Sequence, residues 1–425
     1  MLSLKIISED PDLVINRLKV KNFQARTLLD ELTGLDTQRR KTKARLDSSQ
    51  SGVNRLSKEI GQLYQQGKKD EADAARKETA ALKDEVKLLS SQLAGIEDSI
   101  KELLVQLPNI PDDSVPAGKS PEDNLLVREG GEMPALFPGA LPHWELAKKY
   151  NIIDFELGNK ITGAGFPVYK GKGAKLQRAL INFFLDSAVN SGYTEIIPPV
   201  AVNEDSAFGT GQLPDKEGQM YHIGEDNLFL IPTAEVPLTN IFRGEIVPYN
   251  DLPCKLTAYT PCFRREAGSY GRDVRGLNRL HQFDKVEIVQ IQHPDKSYES
   301  LEIMTSYVEQ LVIKLGLPYR IILLCGGDMS FHSAKTYDFE VFSAAQNKWL
   351  EVSSVSNFES FQANRMKLRF RDQDGKSINH AHTLNGSALA LPRIMAALLE
   401  NNQTETGIHI PPTLVPYTGF EIIDS

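Results

Sequence analysis

Two runs of apolar residues, spaced alternately four and three apart, constrain this chain more than any other feature. The first passes through Leu28, Leu32, Leu35, Arg39, Thr42, Leu46, Ser49, Val53, Leu56, Ile60 and Leu63, and eight of these eleven positions are apolar. The second passes through Ala72, Ala75, Thr79, Leu82, Val86, Leu89, Leu93, Ile96, Ile100 and Leu103, with only Thr79 polar. A period of 3.5 is that of helices packed along a shared seam. Between the runs, Gln65-Gln-Gly-Lys-Lys-Asp70 supplies a glycine that can take positive φ and end the first helix. So short a connection makes the two helices antiparallel neighbours. Residues 27–104 are therefore predicted to form a helical hairpin about 50–60 Å long at 1.5 Å per residue, which needs no second chain to cover its seam.

The outgoing helix is also basic. From Thr37 to Lys69 the chain carries Arg39, Arg40, Lys41, Lys43, Arg45, Arg55, Lys58, Lys68 and Lys69 against Asp47 and Glu59, a net of +7 on a chain whose formal charge is −8. A solvated helix face accounts for many charge runs. Basic charge gathered on a rod while the rest of the chain is acidic points instead to a polyanion, and a sequence-nonspecific contact with RNA backbone is the expected partner.

The hairpin ends before Pro108-Asn-Ile-Pro111-Asp-Asp-Ser-Val-Pro116, where three prolines in nine residues rule out further helix. With 425 residues and roughly 150 per domain, the organisation expected is an N-terminal domain over 1–107, a linker over 108–118 and a second domain over 119–425. Strand-like runs cluster between 255 and 292 and between 319 and 355 rather than alternating with helices. The fold class expected is thus α+β: a long antiparallel helical hairpin followed by a mainly antiparallel β-sheet flanked by helices.

Several chemistries lack their fingerprints. The sequence has no P-loop, no G-x-G-x-x-G after a strand, no H-E-x-x-H and no G-x-S-x-G. His222-Ile-Gly-Glu225 lacks the second histidine of the nucleotide motif it partly matches. Cys254, Cys262 and Cys325 are odd in number without a C-x-x-C pair, so neither a disulfide framework nor zinc is expected. The first eleven residues reach acids and a proline, and no stretch approaches 18 apolar residues. A soluble, cytoplasmic protein with no membrane or DNA partner is the expectation.

The most informative segment runs from Leu256 to Ile291. It begins and ends in β-type residues around a Gly- and Arg-rich middle holding Arg272, Arg275 and Arg279, which reads as two antiparallel strands joined by a long loop. Arg264 and Glu266, two apart on the first strand, are expected to point to one face. A guanidinium and a carboxylate side by side suit a phosphate and an amine. Taken alone, Arg-x-Glu reads as a surface ion pair; with the loop arginines it favours a phosphate-rich ligand.

The whole string resembles motif 2 of the class II aminoacyl-tRNA synthetases and, in detail, the bacterial-type seryl-tRNA synthetases. The resemblance extends over the chain: Asp10-Pro, the basic hairpin, Asn109-Ile-Pro-Asp-Asp-Ser-Val-Pro116, His143-Trp-Glu-Leu with Ile153-Asp-Phe155, a motif 1 from Ile181 to Val200, and a motif 3 over Asn385-Gly-Ser387-Ala-Leu-Ala-Leu-Pro-Arg393. It implies a class II catalytic domain and a ligase that activates L-serine with ATP and then charges the 3′ end of tRNA(Ser), with tRNA(Sec) a further acceptor where that tRNA exists.

The resemblance also implies roles. Arg264 and Arg393 would be the catalytic arginines. Arg264 would hold the α-phosphate and the serine carboxylate, with Arg393 near the γ-phosphate at a helix start that itself favours anions. Arg265 and Glu266 would also bind ATP, with Glu266 accepting from the adenine amino group. Glu351-Val352-Ser353-Ser354 would be an ATP segment, with Glu351 and Ser354 as ligands of Mg²⁺. Thr233, Ala234, Glu235, Arg264, Glu287 and Ser387 would bind serine, Glu287 and Ser387 at its hydroxyl and Thr233 and Glu235 nearer its ammonium. Arg39, Arg40, Lys41, Lys43, Arg45, Arg55 and Lys58 would meet tRNA, and motif 1 would form a homodimer.

Departures from the family pattern are Arg265 in place of a common serine, Asn357-Phe358 in place of Asn-Cys, and Asn364 in place of an arginine. Two alternatives stay open on the sequence: a class II relative with altered amino-acid or acceptor specificity, and a non-catalytic tRNA-binding relative.

Overall fold

The computed structural model describes residues 1–267 and 275–424. The chain divides into two compact units, Met1–Lys19 with Phe23–Pro108, and Val20–Asn22 with Asn109–Ser425.

In the first unit, helices Arg26–Gln65 and Lys69–Leu104 form the antiparallel hairpin, joined by a turn in which Gly67 takes φ 76°. All the seam positions read from the sequence are buried or half-buried, from Leu28 to Leu63 and from Ala72 to Leu103. The seam is polar in places. Asp36, only 6% exposed, accepts from Arg39 and Arg40 one turn on, and Arg45 crosses to Glu85 on the return helix at 2.8 Å, where Ser49 also donates. Short helices Leu4–Glu9 and Pro11–Val20 contribute Ile7, Val14, Ile15 and Leu18 to the buried set at the base.

The second unit is built on an eight-stranded sheet in the order Leu125–Gly130, Tyr319–Leu323, Lys335–Ser343, Lys348–Glu359, His382–Ala390, Gln282–Gln292, Cys254–Phe263, Thr194–Glu195. Every neighbouring pair is antiparallel except the last, which is parallel. Strand alternation sorts its residues onto two faces. Val286, Ile288, Leu384, Ala388, Phe339 and Val355 meet helices Gly171–Asn190, Ser297–Lys314 and Leu391–Asn401 in the main core. The opposite face carries Ala258, Val289 and Ile291 in a smaller cluster with Ala234 and Leu238 of the segment around helix Glu235–Asn240 and Ala363 and Met366 of helix Phe361–Met366. That smaller cluster leaves the remainder of its face free for polar side chains.

Candidate active site

Alternation places Lys285 and Glu287 on the same face as Val289 and Ile291, and Thr383 and Ser387 on the same face of the adjoining strand, away from Leu384 and Ala388. Register sets Glu287 opposite Ser387 and Ala258. The result is a buried polar cup. Lys285 forms an ion pair with Glu287 Oε2 at 2.7 Å and donates to Thr233 Oγ1 at 2.9 Å, and Ser387 Oγ reaches Glu287 Oε2 at 3.4 Å. Behind it, Gln362 donates to Glu235 Oε1 at 2.6 Å and accepts from Thr383 Oγ1 at 2.6 Å. Burial, reinforced by the Glu287 charge, pushes the Glu235 carboxyl up to about 7, against the Gln362 hydrogen bond and the charges of Lys285 and Arg264. Ala234 is fully buried beside Thr233 and Glu235.

Arg264 and Glu266 depart from the expected placement on a strand. The strand ends at Phe263, and Glu266 takes φ 49°, so simple two-residue alternation does not govern this pair. The chain leaves the ladder because successive amides bond to different partners: Arg264 N–H donates to His281 O and Arg265 N–H to Gln219 O, each at 2.9 Å. The Arg264 guanidinium lies over the Phe283 ring at 5.2 Å and that of Arg265 over Tyr221 at 5.6 Å. Glu266 forms an ion pair with Arg279 at 2.9 Å. Arg275 is exposed, and Arg272 lies outside the described residues.

Arg393 is the third residue of helix Leu391–Asn401, after Pro392 in the first turn, where a missing N–H costs little. Its Nε donates to Asn278 O at 3.0 Å and its Nη1 to Glu351 O at 2.7 Å. One guanidinium thus joins the base of the Arg-rich loop to the strand carrying Glu351, while the next loop residue, Arg279, joins it to Glu266.

Glu351 and Ser354 are three apart on one strand, a spacing that would put them on opposite faces of a regular sheet. The pairing shifts between Phe339↔Ser353 and Glu340↔Glu351, so Val352 is an extra residue. Leu350, Val352 and Val355 all face the core, which turns Glu351 and Ser354 to the other side together. Asp338, opposite Ser354, joins them there: it is 8% exposed, its Oδ1 has no hydrogen-bond partner, and burial followed by the Glu351 charge raises it well above the usual carboxylate range. An all-oxygen set with an orphaned buried carboxylate oxygen fits a hard divalent cation. No three His, Cys, Asp or Glu side chains among the described residues could hold a metal by themselves, so phosphate and water oxygens would have to complete the shell. Ser353 instead donates to Ser387 O at 2.6 Å, tying this strand to the cup.

Comparison with known proteins settles the family. Residues 1–111 match the seryl-tRNA synthetase N-terminal domain, and residues 220–402 match the tRNA synthetase class II core domain (G, H, P, S and T). A serine–tRNA ligase of Salinibacter ruber is 51% identical over 99% of this chain and 98% of its own length. The chain belongs to the seryl-tRNA synthetase family. A serine–tRNA ligase of Chlorobium luteolum is 47% identical over 100% of this chain and 99% of its own. The solved structure of seryl-tRNA synthetase from Pyrococcus horikoshii complexed with ATP matches with a TM-score of 0.92 at 33% identity, covering 100% of this chain and 99% of that one. The hairpin, the antiparallel sheet and the family read from the motifs are borne out.

Sequence reasoning missed Lys285, Gln362, Asn278 and Asp338. Lys285 alone left a signal, a cation two residues before Glu287 in an otherwise strand-like run.

Proposed function

We propose that this chain activates L-serine with ATP, forming seryl-adenylate and pyrophosphate, and then transfers the seryl group to the 3′-terminal adenosine of tRNA(Ser). The observation that carries the reading is the buried cup of Thr233, Glu235, Lys285, Glu287 and Ser387, tied by Ser353 to a strand whose Glu351 carbonyl holds Arg393.

In the first step a serine carboxylate oxygen bonds to the α-phosphorus as the bond to the bridging oxygen breaks, and pyrophosphate leaves with the electron pair. Arg264, beside the cup, offsets charge on the α-phosphate and the serine carboxylate. Arg393, oriented by two carbonyl oxygens, meets the γ-phosphate. Positioning and charge offset are the chemistry such a displacement requires. Glu266, with Arg265 and Arg279 around it, accepts from the adenine amino group, and the Glu351–Ser354 segment, Val352 and Ser353 included, lies along the phosphates. Glu351 and Ser354 would hold Mg²⁺, which supplies neutralisation of phosphate charge when bound.

Within the cup, Glu287 and Ser387 take the substrate hydroxyl and Glu235 the ammonium. Alanine is rejected because it would leave those buried groups unpaired. The hairpin contacts the tRNA outside its 3′ end through the basic helix. A homodimer through motif 1 is supported by Ile197, 91% exposed just after the strand Thr194–Glu195, and by Val189, 45% exposed near the end of the preceding helix. No helix among the described residues is long and apolar enough to cross a membrane.

Amino-acid-dependent pyrophosphate exchange across the twenty standard amino acids tests the reading. Exchange with L-serine far above all others is expected; its absence under conditions where the protein is folded and binds ATP would overturn it.

A further inference from the structure

Lys285 is 5% exposed and enters none of the roles above except as a wall of the cup. A buried ammonium is costly unless paired and hydrogen-bonded, and here Lys285 meets Glu287 and Thr233, both residues of the serine cup. Its ion pair with Glu287 is made to Oε2, the same oxygen that Ser387 approaches, so both of these contacts fall on one carboxylate oxygen. Its bond to Thr233 occupies one lone pair of Oγ1, and the Glu235 backbone N–H at 3.2 Å occupies the other. A threonine hydroxyl with both lone pairs filled is left only its proton to offer. Thr233 is thereby a donor into the cup, which suits a substrate oxygen; an ammonium, having only donors, has nothing to accept it.

We propose that Lys285 is the positioning residue for serine specificity: it clamps Glu287 and Thr233 so that Glu287 Oε1 is presented as the acceptor for the substrate hydroxyl and Thr233 as a donor to a substrate oxygen. This reassigns Thr233 from the ammonium to an oxygen of serine, and leaves the ammonium to Glu235. The inference rests on the reading of the cup as the serine site.

The test compares Lys285→Met and Lys285→Arg with the unmodified full-length protein in pyrophosphate exchange, varying L-serine, L-alanine and ATP separately. Lys285→Met should raise the KM for serine at least a hundredfold, leave the KM for ATP within about twofold, and cut the serine-over-alanine preference in kcat/KM at least tenfold. Lys285→Arg, which restores the cation on a different geometry, should recover part of the serine KM. An unchanged serine KM and preference in Lys285→Met would overturn the clamp, as would a rise in the ATP KM equal to that for serine, which marks general damage. Should Lys285→Met not fold, Lys285→Arg decides by the same split: a rise confined to serine supports the clamp, and an equal rise in both or no rise overturns it. Absence of serine-dependent exchange in the unmodified protein would instead overturn the reading of the site itself.

Discussion

The imidazole of His143 accepts the backbone N–H of Leu277 through Nε2 at 2.8 Å. Its other nitrogen faces Glu400 Oε1 at 2.7 Å, and both residues are fully buried. An acceptor at Nε2 requires the proton on Nδ1, so the carboxylate fixes the tautomer that the loop needs. Burial raises the Glu400 carboxyl, but hydrogen bonds from His143 and Ser343 outweigh it and hold it below its usual range. The base of the Arg-rich loop is thus hung from the core one residue before Asn278, whose carbonyl orients Arg393. His143→Ala should cost about 1–3 kcal/mol of stability, since it leaves the buried Leu277 N–H without its acceptor and takes one donor from Glu400, which keeps Ser343 and Gln346. It should also lower kcat for exchange in the molecules that remain folded. Chemical denaturation alongside exchange kinetics checks both.

Gly276 lies against that same ring. It takes φ 63°, and a Cβ there would sit 2.1 Å from His143 Nε2. Gly276→Ala should therefore impair both stability and adenylate formation severely. Gly139→Ala is the control: φ is positive there too, at 92°, but nothing lies within 4 Å of the added carbon. It should show only the backbone strain of roughly 1 kcal/mol and full exchange activity. Equal effects of the two substitutions would contradict the steric argument.

How much of this was legible in the sequence follows from which interactions are local. The hairpin could be read because a 3.5 period needs only one chain's spacing, and even Arg39 and Ser49 fall on the half-buried or buried side as that period requires. The strand bearing Glu287 could be read from its β-type run. By contrast, His143 and Leu277 are 134 residues apart, and Lys285 and Thr233 are 52 apart; no periodicity encodes such meetings. The extra residue at Val352, which brings Glu351 and Ser354 to one face, belongs to the pairing of two strands and is invisible in either alone.

Arg393 donates in two directions at once, to Asn278 O and to Glu351 O. An ammonium cannot reproduce that planar fork. Arg393→Lys is expected to keep the fold and lower kcat for serine-dependent exchange by roughly 10²–10³, measured with ATP and serine saturating. A decrease smaller than about threefold would remove Arg393 from the phosphate-binding set.

Glu235, pushed up to about 7, is largely protonated below that pH and ionised above it. Only the ionised form attracts an ammonium, so kcat/KM for serine should rise as pH increases through about 7, and Glu235→Gln should flatten that limb. Stability runs the other way. The folded value lies above the ordinary 4.5, so the contribution of this group is fully present below about 4.5 and is lost as pH rises through about 7. Glu235→Gln should remove that slope from a series of denaturation curves between pH 4.5 and 7.5.

The basic helix offers a last test because its cations are unequally free. Arg39 and Arg40 are held by Asp36, Arg45 by Glu85 across the hairpin, and Lys43 lies 4.0 Å from Asp47. Lys41, Arg55 and Lys58 have no acidic partner among the described residues. If the helix binds RNA backbone, these three contribute counterion release without breaking an internal pair. Replacing all three by Ala should raise the KM for tRNA at least tenfold and reduce the slope of log affinity against log salt by roughly 2–3, while serine-dependent exchange stays unchanged. Arg45→Ala should behave differently, because it strips Glu85 of its cross-hairpin partner and so loosens the arm as well as removing a charge. Unchanged tRNA charging and an unchanged salt slope in the triple variant would mean that the segregated charge of this helix serves something other than RNA.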